Sequence, residues 1–230
     1  MKRKVLQEER EEWRRREFRR CIVQAAERVI LAKGLSVMTM DDVAREAQFS
    51  KPTLYHYFRS KEGLLLEILG QFFEEIEQGT RKINRLPLSA TERLRKGIHF
   101  YLRFNEEKEN ISRMLMLDRS FTEKMNIFVS EETRLTSEVD RRFKTKMKAK
   151  RREILGGVSE LLNEGIASGE FRKMDVAGAV IFLESLLQGY CHIRLWHEKP
   201  YSVTEAASII HGLFLHGIEK KDGPAKGASR

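Results

Sequence analysis

A short segment of the chain, residues 51–57, concentrates side chains that suit the recognition of a polyanion. It reads K-P-T-L-Y-H-Y, a series of hydrogen-bond donors and flat rings without a carboxylate. Such donors hold phosphate oxygens and reach the edges of bases. Together with Thr39 before it and Lys61 after it, the segment predicts a nucleic-acid contact. The candidate contact residues are Thr39, Lys51, Pro52, Thr53, Tyr55, His56, Tyr57 and Lys61.

Two short helices are needed to position this segment. Thr39 is a good N-cap for the first helix, and apolar residues at i, i+3, i+4 and i+7 from Met40 give that helix a buried stripe. The pattern breaks at Gln48. It restarts at Ser50, a second N-cap, with Pro52 in the first turn, where an N–H group is not needed. Two short helices joined by a tight turn predict a helix-turn-helix, whose second helix can enter the major groove of DNA.

A longer run around this segment resembles the DNA-binding domain of the TetR (tetracycline-repressor-like) family of bacterial regulators. It extends from Gly34 to Leu65 and reads G-L-S-V-M-T-M-D-D-V-A-R-E-A-Q-F-S-K-P-T-L-Y-H-Y-F-R-S-K-E-G-L-L. The run departs from the family pattern at Gln48, where Gly is common and a left-handed backbone is expected, and at Pro52, where many members have Gly. The resemblance implies a three-helix DNA-binding domain followed by a helical domain that binds an effector and forms dimers.

The composition predicts a folded, all-α protein whose positive charge lies mainly at its N-terminal end. Of the 230 residues, 41% are hydrophobic, 9% are aromatic and only four are proline. The net charge is +9, and residues 1–61 hold fifteen Lys and Arg against nine Asp and Glu. This local surplus favours nucleic acid as the partner of the N-terminal part.

No feature of the sequence predicts an enzyme, a cofactor or a metal site. Four histidines form two pairs spaced by five residues, so neither pair has the i, i+4 spacing of zinc ligands on one helix face. There is no phosphate-binding glycine loop and no nucleophile motif. Neither a secretory signal nor an apolar run long enough to span a bilayer is evident, which predicts a cytoplasmic protein without a membrane partner. The two cysteines, Cys21 and Cys191, are expected to pack in the core.

Two strongly charged stretches each have more than one interpretation. Residues 2–20 hold nine Lys or Arg and five Glu. They form either a solvated extension of the first helix or a basic arm whose first residues, Lys2, Arg3 and Lys4, touch DNA. Residues 141–152 hold eight basic side chains and no acid. This run is interpreted as a solvated helix face, and the alternatives are a contact with an anionic effector such as an acyl-CoA-like molecule or a second contact with DNA.

A long helix is predicted to connect two domains. Ser60 caps it, and its apolar residues recur at helical spacing from Lys61 to about Lys82. The family resemblance makes this helix a lever whose tilt sets the spacing of the recognition helices. The predicted parts are a DNA-binding domain over residues 1–60, an effector-binding and dimerisation domain over 61–222, and a disordered tail over 223–230.

An effector pocket is predicted in the second domain. Phe and Met recur at helical spacing in three consecutive segments between residues 89 and 128, with a few charged residues among them. Such residues are also typical of an ordinary core, but the family resemblance places the pocket here. The expected effector is an unidentified small molecule, largely apolar or aromatic. The candidate pocket residues are Phe72, Phe73, Ile76, Phe100, Arg103, Phe104, Met114, Phe121, Met125 and Phe128.

The last two helices predict a homodimer. Both are apolar almost all round, and such helices need cover on two sides. The chain is too short to cover both helices from both sides, which favours a two-fold interface of four helices. The candidate interface residues are Phe182, Leu186, Tyr190, Ile210, Phe214 and Gly217.

These features together predict a homodimeric, ligand-responsive transcriptional regulator that binds double-stranded DNA. A repressor released from a palindromic operator by a small molecule fits best. In that role Lys51, Thr53 and His56 are expected to read base edges. Tyr55, Tyr57, Lys61 and the hydroxyl of Thr39 are expected mainly to hold phosphates. The alternative is a DNA-binding architectural protein whose second domain serves only dimerisation and binds no effector.

Overall fold

The structure, a computed structural model, describes residues 2–117, 138–197 and 201–218 of the chain. Within those ranges helices are the only regular elements, which confirms the predicted all-α fold. The predicted disordered tail lies outside the described residues. The helices are α1 Lys2–Lys33, α2 Met40–Glu46, α3 Lys51–Tyr57, α4 Lys61–Asn84, α5 Ala90–Glu107, α6 Glu109–Leu117, α7 Glu138–Ala167, α8 Val176–Arg194 and α9 Val203–Ile218.

The chain forms two compact units, and α4 contributes residues to both. The first unit holds α1, α2, α3, the beginning of α4 as far as Phe72 and the end of α6 from Arg113. The second unit holds the rest of α4 from Phe73, the start of α6, and α5, α7, α8 and α9. The domain boundary predicted at residue 60 lies at the start of the same helix and stays a prediction.

In the first unit, α1 and the two short helices share a small core. α1 stops at Gly34, whose φ of 86° gives a left-handed turn and whose N–H donates to the carbonyl of Ile30 at 2.8 Å. Ile22, Val43 and Leu54, one from each helix, are each 0% exposed. Full burial of such a side chain contributes about 1.5–3 kcal/mol. Burial of this kind, and not intrinsic helix stability, holds the seven-residue helices α2 and α3 in place.

In the second unit, α5 is the central helix and contacts α7, α8 and α9. Ser89 caps α5 and exchanges hydrogen bonds with Glu92 in a capping box. A second carboxylate, Glu170 in the turn after α7, accepts hydrogen bonds from the N–H groups of Ala90 and Thr91 at 3.0 and 2.9 Å. Because these orphan donors are satisfied from another element, the start of α5 is fixed to the end of α7.

Two expectations about single elements are wrong. Cys21 is exposed, because the buried face of α1 follows Ile22 and its helical neighbours and leaves Cys21 at its edge, whereas Cys191 is buried as expected. α8 is the one helix in the described part of the chain that is long and apolar enough to cross a membrane, by length and composition alone. A single helix of this kind is weak support for a membrane span, since core helices share its composition.

Candidate nucleic-acid interface and ligand cavity

The turn between α2 and α3 fixes the direction of α3. Gln48 takes a φ of 57°, which confirms the left-handed conformation expected at this position. Ser50 then caps α3, its hydroxyl accepting a hydrogen bond from the N–H of Thr53 at 3.2 Å. On the inner side of α3 and at its end, Leu54 and Phe58 are 0% and 3% exposed. The opposite side of α3 is therefore the one presented outward.

The outward side of α3 carries the predicted contact residues. The ammonium of Lys51 pairs with the carboxylate of Asp41 at 2.5 Å, and these side chains are 63% and 47% exposed. An ion pair this exposed contributes little, at most about 1 kcal/mol. A phosphate or a base edge can therefore replace Asp41 as the partner of Lys51 at small cost. Lys51, Pro52, Tyr55 and His56 are exposed, and Thr53 and Tyr57 are half-buried.

Thr39 and Lys61, which flank this surface in the sequence, already have partners within the protein. The hydroxyl of Thr39 caps α2 and donates to the carboxylate of Asp42 at 2.7 Å. Hydrogen bonds from the ammonium of Lys33, and then from Thr39, lower the pKa of Asp42 to about 2. The carboxylate of Asp42 is therefore charged at neutral pH. Lys61 donates to two backbone carbonyls of the loop before α2, each at 2.7 Å. One of its three N–H groups remains for a phosphate, and both phosphate contacts stay predictions.

Arg19 of α1 has a positioning role that the sequence analysis missed. Its guanidinium donates to the carbonyl of Tyr57 at 3.1 Å and pairs with Glu67 of α4 at 2.7 Å. The same group lies 4.4 Å from the centroid of the Phe58 ring. Arg19 thus ties the end of α3 to both α1 and α4. Arg19 lies three residues before Ile22 and four before Val23, so the sequence already places it next to the buried stripe of α1. That position is the signal that could have indicated its role.

A cavity of about 530 Å³ opens along one face of α5. Its volume lies within the range of small-molecule sites. Two rings, Phe100 and Phe104, supply its apolar surface, with their centroids 5.9 Å apart. Basic side chains lie beside the rings, so the cavity suits an amphipathic anion. The described lining residues are Arg95, Lys96, His99, Phe100, Arg103, Phe104 and Glu107.

The ring of Phe100 connects this cavity to α4. It packs directly on Gly79, where an added Cβ would lie 2.0 Å from the ring. Glycine at this point lets the aromatic ring approach the backbone of α4 more closely than any other residue would. A change in the cavity that moves Phe100 would therefore act on α4 at Gly79.

The structure places three of the predicted pocket residues, Phe100, Arg103 and Phe104, on the cavity wall. Phe72 and Ile76 are not on the described wall. They belong to the core, at 4% and 5% exposed, because α4 turns that face inward. Phe73 is half-buried. The side chain of Met114 and the residues Phe121, Met125 and Phe128 lie outside the part of the structure that is described.

The basic run of α7 is only partly solvated. Lys150 is buried, and its ammonium lies 2.9 Å from Glu74 and 3.3 Å from Glu77, both on α4. Burial lowers the pKa of Lys150, but the hydrogen bonds to the two carboxylates outweigh it and the pKa is raised. The same hydrogen bond lowers the pKa of Glu74. Arg151 pairs with Glu184 of α8 at 2.6 Å. These two cations of the run join helices.

α8 exposes an apolar face. Phe182 is 70% exposed and Leu186 41% exposed, and their place in an interface stays a prediction. Tyr190 is half-buried, and its hydroxyl has no hydrogen-bond partner within the described structure. Further exposed apolar residues of α8 and the turn after it are Ile181, Ile193 and Trp196.

The predicted interface on α9 is corrected by one position. Ile210 and Phe214 are buried within the protomer, at 6% and 7% exposed, because α9 packs against α5. Ile209 and Leu213 take the outward face, at 44% and 65% exposed. Gly217 lies in the last turn of α9. We call the outward residues Ile181, Phe182, Leu186, Ile193, Trp196, Ile209 and Leu213 the α8–α9 face.

Comparison with known proteins finds a family match in the N-terminal part of the chain. Residues 22–68 match the family described as bacterial regulatory proteins, tetR family. This segment contains α2, α3 and the start of α4, so it includes the whole outward surface of α3.

Three known proteins illustrate the similarity beyond this segment. The HTH-type transcriptional regulator EthR of Mycolicibacterium smegmatis is 30% identical over 81 residues, which are 35% of this chain and only 37% of that protein. The fatty acid metabolism regulator protein of Bacillus subtilis is 25% identical over 211 residues, 87% of this chain and 95% of that one. A crystal structure of FadR from Bacillus subtilis in complex with stearoyl-CoA shares the fold, with a TM-score of 0.67 at 18% identity over 86% of this chain and 98% of that one.

Proposed function

We propose that this chain, which belongs to the TetR family of bacterial regulatory proteins, is a homodimeric repressor that reads a palindromic operator and is released by an amphipathic anion. The observation that carries the DNA-reading role is the outward side of α3. Lys51, Tyr55 and His56 project there from a helix that Leu54 and Phe58 hold by burial. No described side chain on this side of α3 is acidic except the partner of Lys51, which is exposed and replaceable.

The residues of α3 have separate tasks in this proposal. Lys51 and Thr53, at the N-terminal end of the helix, read base edges, with His56 next to them. Tyr55 and Tyr57 hold phosphates, together with the free N–H of Lys61 and the hydroxyl of Thr39. In a two-fold dimer the two recognition helices meet successive major-groove faces, about 34–36 Å apart.

The second copy of the chain is the occupant that we infer for the α8–α9 face. An exposed apolar surface of this kind marks an interface, and two copies meeting through α8 and α9 give a two-fold bundle of four helices. The double variant Phe182→Glu, Leu213→Glu is expected to be a folded monomer in sedimentation analysis and to lose cooperative operator binding. Asn163→Glu, at an exposed position on α7, is the control and should leave the dimer intact.

The effector that we infer is a long-chain acyl thioester of the acyl-CoA type. The cavity beside α5 supports this class, because Phe100 and Phe104 suit an acyl chain and Arg95, Lys96 and Arg103 suit phosphates. The name of the Bacillus subtilis relative and the stearoyl-CoA bound to FadR point to the same chemical class. Ligand binding would act on α4 through the contact between Phe100 and Gly79.

Selection of bound duplexes from random DNA by the purified protein tests the reading function. A consensus with two-fold symmetry, whose half-sites are centred about one helical turn apart, is the expected result. Failure to enrich any sequence at moderate salt would leave only non-specific binding to the phosphate backbone and would contradict the proposal.

A further inference from the structure

Residues 7–16 of α1 protrude from the first unit without burying side chains. Residues 7–16 are all exposed, and the buried face of α1 begins only at Ile22. At 1.5 Å per residue, the part of α1 that precedes Phe18 is about 24 Å long. A helix gains little stability when it buries nothing. Its exposed length is therefore available for a partner.

The protruding part carries one basic and aromatic row of side chains. Arg10, Trp13 and Arg14 are related by i, i+3 and i+4 and lie on one face, where Trp13 is 65% exposed. Glu17 lies one turn further along the same face and is paired with Arg20. The opposite face is mixed, with Glu8 and Glu12 beside Arg15 and Arg16. We call Arg10, Trp13 and Arg14 the α1 ridge.

The two arginines of the α1 ridge and Arg15 have no ion pair within the described part of the chain, whereas the next three arginines of α1 are paired. Arg16 pairs with Glu12 and Arg20 with Glu17, each at 2.5 Å. Arg19 is held by Glu67 and the end of α3. The charge of the α1 ridge is therefore not neutralised by a carboxylate of its own helix.

The α1 ridge leads to the recognition helix. Phe18 continues it at the same spacing of four residues, and the ring of Phe18 lies 5.8 Å from the ring of Tyr57 in α3 and 5.2 Å from that of Phe49. Arg14 and Arg10 lie one and two turns before this contact, about 6 and 12 Å along the helix axis. DNA rises 3.4 Å per base pair, so about 12 Å along the helix axis reaches at most about three or four base pairs beyond Tyr57.

We propose that the α1 ridge is a second DNA contact, in which Arg10 and Arg14 bind phosphates that flank the base pairs under α3 and Trp13 packs against the same backbone. This inference rests on the proposed DNA-reading function. It assigns a task to residues that lie before the segment matched by the family. The contact adds affinity and salt dependence without reading sequence, because phosphates are the same at every position.

A matched pair of variants tests this proposal. Arg10→Gln with Arg14→Gln changes the ridge, whereas Arg15→Gln with Arg16→Gln removes the same charge from the other side of the same helix. Gln has nearly the helix propensity of Arg, and circular dichroism verifies that both variants keep the helix. The probe is the consensus duplex selected from random DNA, used once with the half-sites alone and once extended by about six base pairs at each end.

The measured quantity is the slope of log affinity against log salt concentration. Each phosphate contact contributes about 0.9 to this slope, so the ridge variant should lose about 1.8 per protomer on the extended duplex and nothing on the short one. The control variant should keep the slope of the parent on both duplexes. Equal loss in both variants, or no loss in either, overturns the proposal. If the parent fails to prefer the consensus over a scrambled duplex, the proposed reading function itself has failed.

Trp13 offers an independent readout. The chain has two tryptophans, so the emission of Trp13 is obtained as the difference between the unchanged protein and Trp13→Phe. Quenching of its emission by acrylamide should decrease when the extended duplex is added and should not decrease with the short duplex. Unchanged quenching with the extended duplex contradicts a contact at Trp13.

Discussion

Basic side chains are used differently in the two units. In the first unit Lys51 pairs with Asp41 at the surface, with 63% and 47% of the two side chains exposed. In the second unit Lys150 is held by two carboxylates of α4, and its side chain is only 11% exposed. A surface pair is screened and easily exchanged for phosphate, whereas a buried cation whose partners are removed is costly. Lys51 of the first unit is thus available for DNA, whereas Lys150 of the second unit fixes α4 against α7.

The largest expected effect comes from breaking the buried cluster. Lys150→Met leaves the carboxylate of Glu77 buried with only Arg81 as a partner, so the free energy of unfolding should fall by about 3 kcal/mol. The control is Arg151→Met in the same helix. Its side chain is 61% exposed, and its partner Glu184, at 19% exposed, keeps the hydrogen bond from Gln188. This control should cost less than about 1 kcal/mol. Urea unfolding at one fixed protein concentration measures both. Equal losses would contradict the contrast between buried and exposed cations.

The pH dependence of the same cluster sharpens this contrast. The pKa of Glu74 is lowered from its ordinary value of 4.5 by the hydrogen bond from Lys150. A carboxylate with a lowered pKa stabilises the folded state above its unfolded pKa, and this contribution is lost as the pH falls through the folded pKa. The advantage of the parent over Lys150→Met should therefore be present at pH 7 and shrink below about pH 4.5. An advantage that grows in acid would contradict the assignment.

A change at the contact between the cavity and α4 should have the next largest effect. Gly79→Ala must displace the ring of Phe100, and overpacking of this kind costs about 1–3 kcal/mol of stability. Gly70→Ala lies in the same helix with nothing within 4 Å of the added methyl group, so it should stabilise the protein by about 1 kcal/mol. If α4 acts as a lever, Gly79→Ala also weakens operator binding without an effector and Gly70→Ala does not. Unchanged affinity in both variants would count against the lever.

In the first unit, substitution of Lys51 should affect binding and not folding. Lys51→Ala is expected to cost about 1–3 kcal/mol of operator affinity and to relax one operator position, with little change in unfolding. Asp41→Asn releases the ammonium of Lys51 and should tighten binding. Fluorescence anisotropy with the operator and a scrambled duplex separates the possibilities. If Lys51→Ala weakens both duplexes equally, Lys51 is only a phosphate contact.

The smallest effect is expected at the turn between α2 and α3. Gln48→Gly removes a side chain from a left-handed residue, a gain of about 1–2 kcal/mol that the greater freedom of glycine in the unfolded chain partly cancels. A net stabilisation of about 0.5 kcal/mol is expected, with operator affinity unchanged. Gln24→Gly, at an exposed site within α1, should instead destabilise by about 1 kcal/mol. Thermal unfolding of the two variants should thus shift in opposite directions.

The sequence predicts the first unit better than the second, and the reason is the range of the signals. The caps Thr39 and Ser50 and the left-handed Gln48 are set by residues within a few positions of one another, and all three are as predicted. The burial of Lys150 depends on Glu74 and Glu77, more than seventy residues away in the chain. The outward face of α9 could not be chosen from its own pattern, because the helix is apolar all round and only contact with α5 decides that Ile210 is buried.

Operator affinity measured with and without stearoyl-CoA tests most directly whether the second unit controls the first. The same selected duplex is titrated with the parent protein and with Arg95→Gln, Lys96→Gln, and CoA alone serves as the ligand control. An effector coupled to DNA binding by about 1–3 kcal/mol weakens operator affinity roughly 5- to 150-fold. We predict this weakening for the parent, a smaller one for the double variant, and none with CoA alone. Operator affinity that stays constant at saturating stearoyl-CoA would contradict the proposed control by an acyl thioester.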